Sequence, residues 1–146
     1  MTDQITEDLK AIPGELQGLL LGTGYFDNVR LGAVENILSF KGRTATVYMR
    51  RGDTETTMGS YNLPLTIEAI IGVLVRGARD KSHTKTYEII LDLLDKFRNN
   101  TAWTTLNGRV RHASVEEYEV FPYNTGRTYI TTGILRVRLD VRRRIR

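Results

Sequence analysis

The sequence predicts an α+β fold: a mostly antiparallel sheet with an N-terminal helix and a mid-chain helix packed on it, closed by a long C-terminal β-hairpin. Three observations predict it: strict alternation of apolar and charged residues near the C-terminus, an apolar β-branched run in mid-chain, and two apolar stretches at helical spacing. The predicted order is helix, short strands, helix, two long strands, which is typical of α+β folds. Residues 1–146 are expected to form one domain.

The last third of the chain predicts the hairpin. One strand runs from Val110 to Phe121, a turn follows at Asn124-Thr125-Gly126, and the second strand runs from Thr128 to Arg142. Successive side chains of a strand point to opposite faces, so regular alternation predicts a half-buried strand. The second strand alternates in this way, with Leu135, Val137, Leu139 and Val141 on one face and Arg136, Arg138, Asp140 and Arg142 on the other.

The pairing of the two hairpin strands follows from the position of the turn. A turn centred on Thr125 places Ala113 opposite Val137 and Val115 opposite Leu135, so that apolar residues meet on one face. The acids of the first strand then face uncharged residues, and the arginines of the second strand lie nearer the C-terminus. We therefore expect the ribbon to be acidic near its turn and basic at its other end, unless a bulge shifts the pairing.

Four shorter strands are predicted before the hairpin. The mid-chain run is apolar on both faces, which predicts a strand in the middle of the sheet covered by helices. A short buried helix is the alternative, and the β-branched content favours the strand. Residues 25–32 are expected to form a loop that leads into the sheet. The predicted strands are Val34–Phe40, Thr44–Arg50, Thr54–Ser60 and Thr66–Arg76, with tight turns at Lys41-Gly42-Arg43 and Arg51-Gly52-Asp53.

The first helix is predicted from apolar residues at helical spacing between Ile5 and Leu21, with Thr2 or Asp3 as its N-cap. Pro13-Gly14 interrupts this run, so we expect a kinked helix or two short ones. Gly22-Thr23-Gly24 is expected to end it.

The second helix is predicted from a wide apolar stripe between Tyr87 and Phe97. Residues 77–83 read as a polar connection, and Ser82 or Thr84 can cap the helix. Asn99-Asn100 supplies a stop, and Trp103 follows in a loop.

Chemically reactive groups are sparse. The chain has no cysteine, which excludes a disulfide, a thiolate metal site and a cysteine nucleophile. His83 and His112 have no carboxylate cluster at metal-ligand spacing, and Glu116, Glu117 and Glu119 fit a solvated strand face. We therefore predict no catalytic residue, no metal ligand and no cofactor, and a protein that is not an enzyme.

Charge is distributed unevenly along the chain, whose net charge is +4. Residues 1–28 hold five acids and one base, whereas residues 136–146 hold six arginines and one acid. The arginines fit a solvated face, a nucleic-acid site or a subunit interface. The nearby aromatic residues cluster at the turn, away from the arginines, which weakens the nucleic-acid interpretation.

The order and length of these segments resemble the tail-terminator, or tail-completion, proteins of long-tailed bacteriophages. The matching stretches are Ile5–Leu21, Thr44–Arg76, Tyr87–Phe97 and Val110–Arg142. The resemblance implies a non-enzymatic homo-oligomeric ring, typically a hexamer, that stops polymerisation of the tail tube and joins it to the head. Its partners would be the tail-tube protein and a neck or head–tail connector protein, in a virion assembled in the host cytoplasm.

Turns reach beyond a sheet, so the predicted turns are the candidate contact surfaces. The alternative function is a small basic nucleic-acid-binding module that uses Arg136, Arg138 and residues 142–146. The candidate interface residues are Arg51, Asp53, Asn62, Tyr123, Asn124 and Arg127 in the turns, and Arg136, Arg138, Arg142 and Arg143 on the last strand.

Overall fold

The α+β class is confirmed by a computed structural model, which describes residues 4–33, 42–54, 65–124 and 129–141. An N-terminal helix and a mid-chain helix accompany a mostly antiparallel sheet that ends in a long hairpin. The elements in chain order are α1 (Gln4–Gly22), β1 (Asn28–Leu31), β2 (Arg43–Thr54), β3 (Leu65–Arg76), α2 (Arg79–Asn99), α3 (Thr101–Thr104), β4 (Val110–Asn124) and β5 (Tyr129–Val141).

The described strands form one five-stranded sheet in the order β1-β2-β3-β5-β4. β1 pairs with β2 in parallel, and the other neighbouring pairs are antiparallel. β3 lies at the centre, as the apolar mid-chain run predicted, and the alternative of a short helix there is wrong. Its residues Ile71 and Val73 are fully buried.

Both long helices lie on one face of the sheet. α1 contacts β1 and β2, whereas α2 contacts β3, β5 and β4. A single core of buried apolar residues joins the helices to this face, including Leu16 of α1, Leu93 of α2 and Leu135 of β5. The apolar face predicted for β5 is confirmed, since Leu135, Val137, Leu139 and Val141 are buried. The opposite face is called here the open face of the sheet.

α1 is one continuous helix, so of the two predicted alternatives, a kinked helix or two short helices, the second is wrong. Pro13 lies inside it and removes one backbone donor. Ile12, Leu16 and Leu20 are fully buried at four-residue spacing across the proline, so tertiary packing stabilises the helix through this point. The helix ends at Gly22 as predicted. The proposed caps, Thr2 and Asp3, lie outside the described residues.

α2 begins at Arg79, so the predicted polar connection over residues 77–83 and the predicted caps are wrong. Ala78 is the N-cap residue and makes no side-chain cap hydrogen bond. Ser82 lies within the helix, where its hydroxyl is 2.9 Å from the Thr131 hydroxyl of β5. A hydroxyl with a buried partner on the sheet is satisfied inside a helix, and for this reason the helix extends further than its apolar stripe.

The end of α2 matches the prediction, because Asn100 is its C-cap. The Asn100 side chain then accepts a hydrogen bond from the Ala102 backbone N–H and caps α3. Trp103, predicted in a loop, is buried in α3. Its ring packs edge-on against the Phe97 ring, with 5.1 Å between the two ring centroids. A local cap and an aromatic contact therefore order the segment that connects α2 to β4.

Two predictions about the first strands are wrong. Residues 28–31, expected in a loop, form β1. The predicted turn at Arg51-Gly52-Asp53 is part of β2, which stays paired with β3 up to Thr54. An irregularity between Met49 and Arg51 absorbs one residue, so the glycine lies within the strand. The predicted strand Val34–Phe40 and the rest of Thr54–Ser60 lie outside the described residues.

The predicted hairpin register is also wrong. Val115 pairs with Val137 rather than Leu135, because the strands extend to the pair Asn124 and Tyr129 and move the turn along the chain. Tyr123 and Asn124 therefore end β4 and do not form the turn. A bulge between Val115 and Glu117 shifts the pairing once more. Glu117 consequently lies opposite Arg136, so this acid is not separated from the arginines as predicted, whereas Glu119 lies opposite the uncharged Ile134.

Candidate functional site

A row of four alternating charges crosses four strands on the open face of the sheet. Arg50 Nη1 lies 2.9 Å from Glu68 Oε1, and Arg136 Nε lies 2.8 Å from the same oxygen. Arg136 Nη1 also lies 3.2 Å from Glu117 Oε2. Residues Arg50, Glu68, Arg136 and Glu117, one each from β2, β3, β5 and β4, are called here the charge ladder.

The strand pairing explains why these four side chains meet. Each residue of the charge ladder alternates with core residues of its own strand, which directs it away from the helices. Glu117 lies directly opposite Arg136 only because of the bulge in β4. Arg50 occupies the irregular position of β2 and reaches Glu68 on the next strand. Two backbone irregularities therefore assemble the charge ladder.

A cleft of about 270 Å³ lies beside the charge ladder. Its apolar lining comes from Ala33, Tyr48, Ile70 and Ile134, and Glu119 adds a further carboxylate. Tyr48 is 41% exposed, so its ring is available to a partner. Aromatic and arginine side chains beside small apolar surfaces are typical of protein–protein interfaces.

Only part of the predicted interface belongs to this surface. Arg136 is in the charge ladder, and Arg138 lies nearby with its Nε 3.2 Å from Asp140 Oδ1. Arg51 is exposed in β2. The other predicted residues are strand positions, namely Asp53, Tyr123 and Asn124, or lie outside the described residues, namely Asn62, Arg127, Arg142 and Arg143.

Sequence reasoning missed Glu68, which connects the two arginines. A signal was present, because Glu68 is the one charged residue between Leu65 and Val75 in an otherwise apolar strand. A carboxylate in a central strand needs a charged or hydrogen-bonding partner, since an unpaired one is costly to desolvate. The identity of that partner depends on strand order, which the residue pattern does not contain.

The described residues present an ion-paired surface without a cluster suited to metal binding. Among residues 4–33, 42–54, 65–124 and 129–141, no group of three or more histidine, aspartate and glutamate side chains could hold a metal ion. His83 and His112 are exposed. Carboxylates and guanidinium groups that satisfy one another give a surface a fixed pattern of charge, which suits recognition of a partner.

No protein-family model matches this chain, and no curated protein matches it either. In the described part of the chain, no helix has the length and apolar character needed to cross a membrane. The function is therefore inferred from the open face and its surroundings.

Proposed function

We propose that this protein is a structural assembly protein of a phage tail. In this proposal, copies of the chain form a ring, expected to be a hexamer, that caps the tail tube and joins it to the neck or head. Two observations support this proposal: the resemblance in element order, and a charge ladder on the sheet face opposite the two long helices.

The open face supports a role in binding protein. Both long helices pack on the other face, so this surface is free of them. It offers a cleft with Tyr48 and Ile70 next to four charges already held in position. A surface whose charged side chains are ordered before binding loses less conformational entropy when a partner docks.

The same geometry disfavours the alternative of a nucleic-acid-binding module. Arg136 contacts two carboxylates, Arg50 contacts one of them, and Arg138 contacts Asp140. A phosphate would have to compete with these carboxylates for each guanidinium group. Nucleic-acid binding would therefore depend on residues 142–146.

The mechanism of a tail terminator is geometric. One surface of the ring binds the last tube layer through the contacts that a further tube layer would make. The opposite surface offers no site for another tube layer. The open face is the candidate for the first of these surfaces. Tube growth then stops without any chemical step.

Native mass spectrometry tests the ring. We expect a discrete multimer at micromolar concentration that persists at moderate salt. A monomer or dimer whose affinity for DNA or RNA falls steeply with salt would favour the nucleic-acid alternative.

Tube assembly tests the role of the open face. Added to polymerising tail-tube protein, the chain should shorten the tubes. Tyr48→Ala should weaken this effect about tenfold or more, as expected for an aromatic residue at the centre of an interface. The matched control is His83→Ala, an exposed position on α2 on the other side of the sheet. Equal shortening by both variants would contradict a role for the open face.

A further inference from the structure

The two edge strands of the sheet each pair with one described strand only. β1 pairs with β2, and β4 pairs with β5. Both edges carry large exposed apolar side chains, since Leu31 on β1 is 56% exposed and Tyr118 on β4 is 42% exposed. An edge strand has unpaired backbone groups and can accept another strand.

Leu31 and Tyr118 lie at the two ends of a single row across the sheet. Leu31 pairs with Val47, Val47 with Ile71, Ile71 with Leu135, and Leu135 with Tyr118. The three inner residues are buried beneath the helices. The row therefore has an exposed apolar residue at each outer end.

The adjacent row ends in opposite charges. Arg30 pairs with Thr46, which pairs with Gly72, then Ile134, then Glu119. Arg30 and Glu119 are both exposed, and neither makes an ion pair with another described residue. They lie at opposite edges of one molecule, four strand spacings apart, so they cannot neutralise each other within it.

Strand directions make these two edges complementary. β1, β2 and β5 run in one direction, and β3 and β4 run in the opposite direction. A second copy placed beside the first, in the same orientation, therefore sets its β1 antiparallel to β4. If both rows continue from one copy into the next, Leu31 of one copy faces Tyr118 of the other. The same register places Arg30 opposite Glu119.

We propose that the partner of the β4 edge is the β1 edge of a second copy of this chain, so that the sheet continues from one subunit to the next. This inference rests on the proposed function and specifies the contact that would build its ring. The contact is heterologous, because different surfaces meet, and each added copy leaves one edge of each kind free. Such contacts close into a ring or extend as a chain.

Side-chain chemistry supports this pairing over a symmetric one. β4 against β4 would bring Glu116, Glu117 and Glu119 towards a second set of the same acids, and like charges facing each other destabilise a sheet. β1 against β4 brings together an opposite-charge pair and an apolar pair, each of which favours association.

Engineered disulfides test the contact, because the chain contains no cysteine. Directly opposite residues of antiparallel strands have Cα atoms about 4.5–5.5 Å apart, within the range that a disulfide spans. Within one copy the two positions are about 19 Å apart, at four spacings of about 4.8 Å, so no internal disulfide can form. Leu31→Cys combined with Tyr118→Cys should give a ladder of cross-linked multimers under oxidising conditions. Each single variant should give dimers at most, through incidental collisions.

The outcomes separate this contact from the proposed function. If the protein is a multimer in native mass spectrometry but the double variant does not cross-link, the proposed edge contact is wrong and the proposed ring is retained. A monomer that does not cross-link even at high concentration would overturn both. Efficient dimer formation by either single variant, equal to the yield of the double variant, would indicate a symmetric edge contact and overturn the head-to-tail contact.

Charge reversal provides an independent test. Arg30→Glu and Glu119→Arg should each weaken association about fivefold per contact, which corresponds to the upper range for a cross-strand pair. Combining them should restore association, because the pair is re-formed with opposite polarity. Lys10→Glu is the matched control, an exposed position on α1 with the same change in charge. Additive weakening in the double variant would contradict direct pairing of Arg30 with Glu119.

Discussion

Arg136 Nε lies 2.8 Å from Glu68 Oε1, on the face of the sheet opposite α1 and α2. The same carboxylate oxygen also accepts a hydrogen bond from Arg50. One carboxylate on β3 thus holds two guanidinium groups, one from each of the strands that flank β3, in fixed positions. Glu68 is the central residue of the charge ladder, because its removal would leave two like charges facing each other.

We expect Glu68→Gln to lower the free energy of unfolding by about 1–2 kcal/mol, the range for hydrogen bonds to charged groups after allowing for partial exposure. Urea unfolding is the suitable measurement, because guanidinium chloride would screen the charges. Glu116→Gln is the matched control: Glu116 is exposed on β4, makes no ion pair with a described residue, and should change stability by less than about 0.5 kcal/mol. Equal effects of the two substitutions would contradict the importance of the charge ladder.

Gly133→Ala should destabilise the protein by about 1–3 kcal/mol through overpacking. A Cβ at this position of β5 would lie 2.8 Å from Ile90 Cδ1 and 3.1 Å from Thr86 Cγ2, both on α2. Gly18→Ala is the matched control, because a Cβ on this residue of α1 meets no atom within 4 Å. It should stabilise the helix by about 0.5–1 kcal/mol. Thermal unfolding of both variants should therefore show shifts of opposite sign.

Tyr25 should give stability an alkaline pH dependence. Its hydroxyl donates to Asp92 Oδ2 at 2.9 Å, and this hydrogen bond, with smaller contributions from burial and nearby negative charge, raises the pKa of Tyr25 above its ordinary value of 10.0. The folded state therefore holds the phenolic proton more tightly than the unfolded chain. The resulting stabilisation is complete below about pH 10 and is lost as the pH rises through the folded pKa.

Tyr25→Phe tests this dependence. At about pH 8 the variant should be less stable than the wild type by about 1–2 kcal/mol, and the difference should shrink above about pH 10. Tyr48→Phe is the control, because the Tyr48 hydroxyl has no hydrogen bond to a described residue. The stability of this control should equal that of the wild type at about pH 8. A difference between Tyr25→Phe and wild type that stays constant with pH would contradict this role of the hydrogen bond.

Arg109→Gln should cost about 2 kcal/mol of stability, below the range for a fully buried ion pair because Arg109 is partly exposed. Arg109 Nη1 lies 3.2 Å from Asp8 Oδ1, and its Nε lies 3.5 Å from Glu15 Oε1, which ties the start of β4 to α1. Asp8 is buried, so weakening its charged partner is unfavourable. Arg111→Gln, at an exposed position two residues along β4, should be nearly neutral in the same urea titration.

Local patterns predicted α1, α2 and the four long strands, but not β1 or α3. Alternation predicted β5, the continuous apolar run predicted β3, and the stripe between Tyr87 and Phe97 predicted the main part of α2. These patterns depend only on the repeat of the side-chain direction along one strand or helix. They failed where a tertiary contact satisfied a polar group, as at Ser82 inside α2, or where packing carried a helix through Pro13.

Alternation decides which face a side chain occupies, but not which residue lies opposite. A shift of two residues leaves every side chain on its face, so pairing Val115 with Leu135 or with Val137 gives an equally apolar interface. The extent of β4 and its bulge decided the register, and with it the contact between Glu117 and Arg136. The face of Arg136 was thus readable from the sequence, whereas its carboxylate partners depend on how strands distant in sequence are paired. Strand order likewise placed Leu31 and Tyr118 at opposite ends of one row.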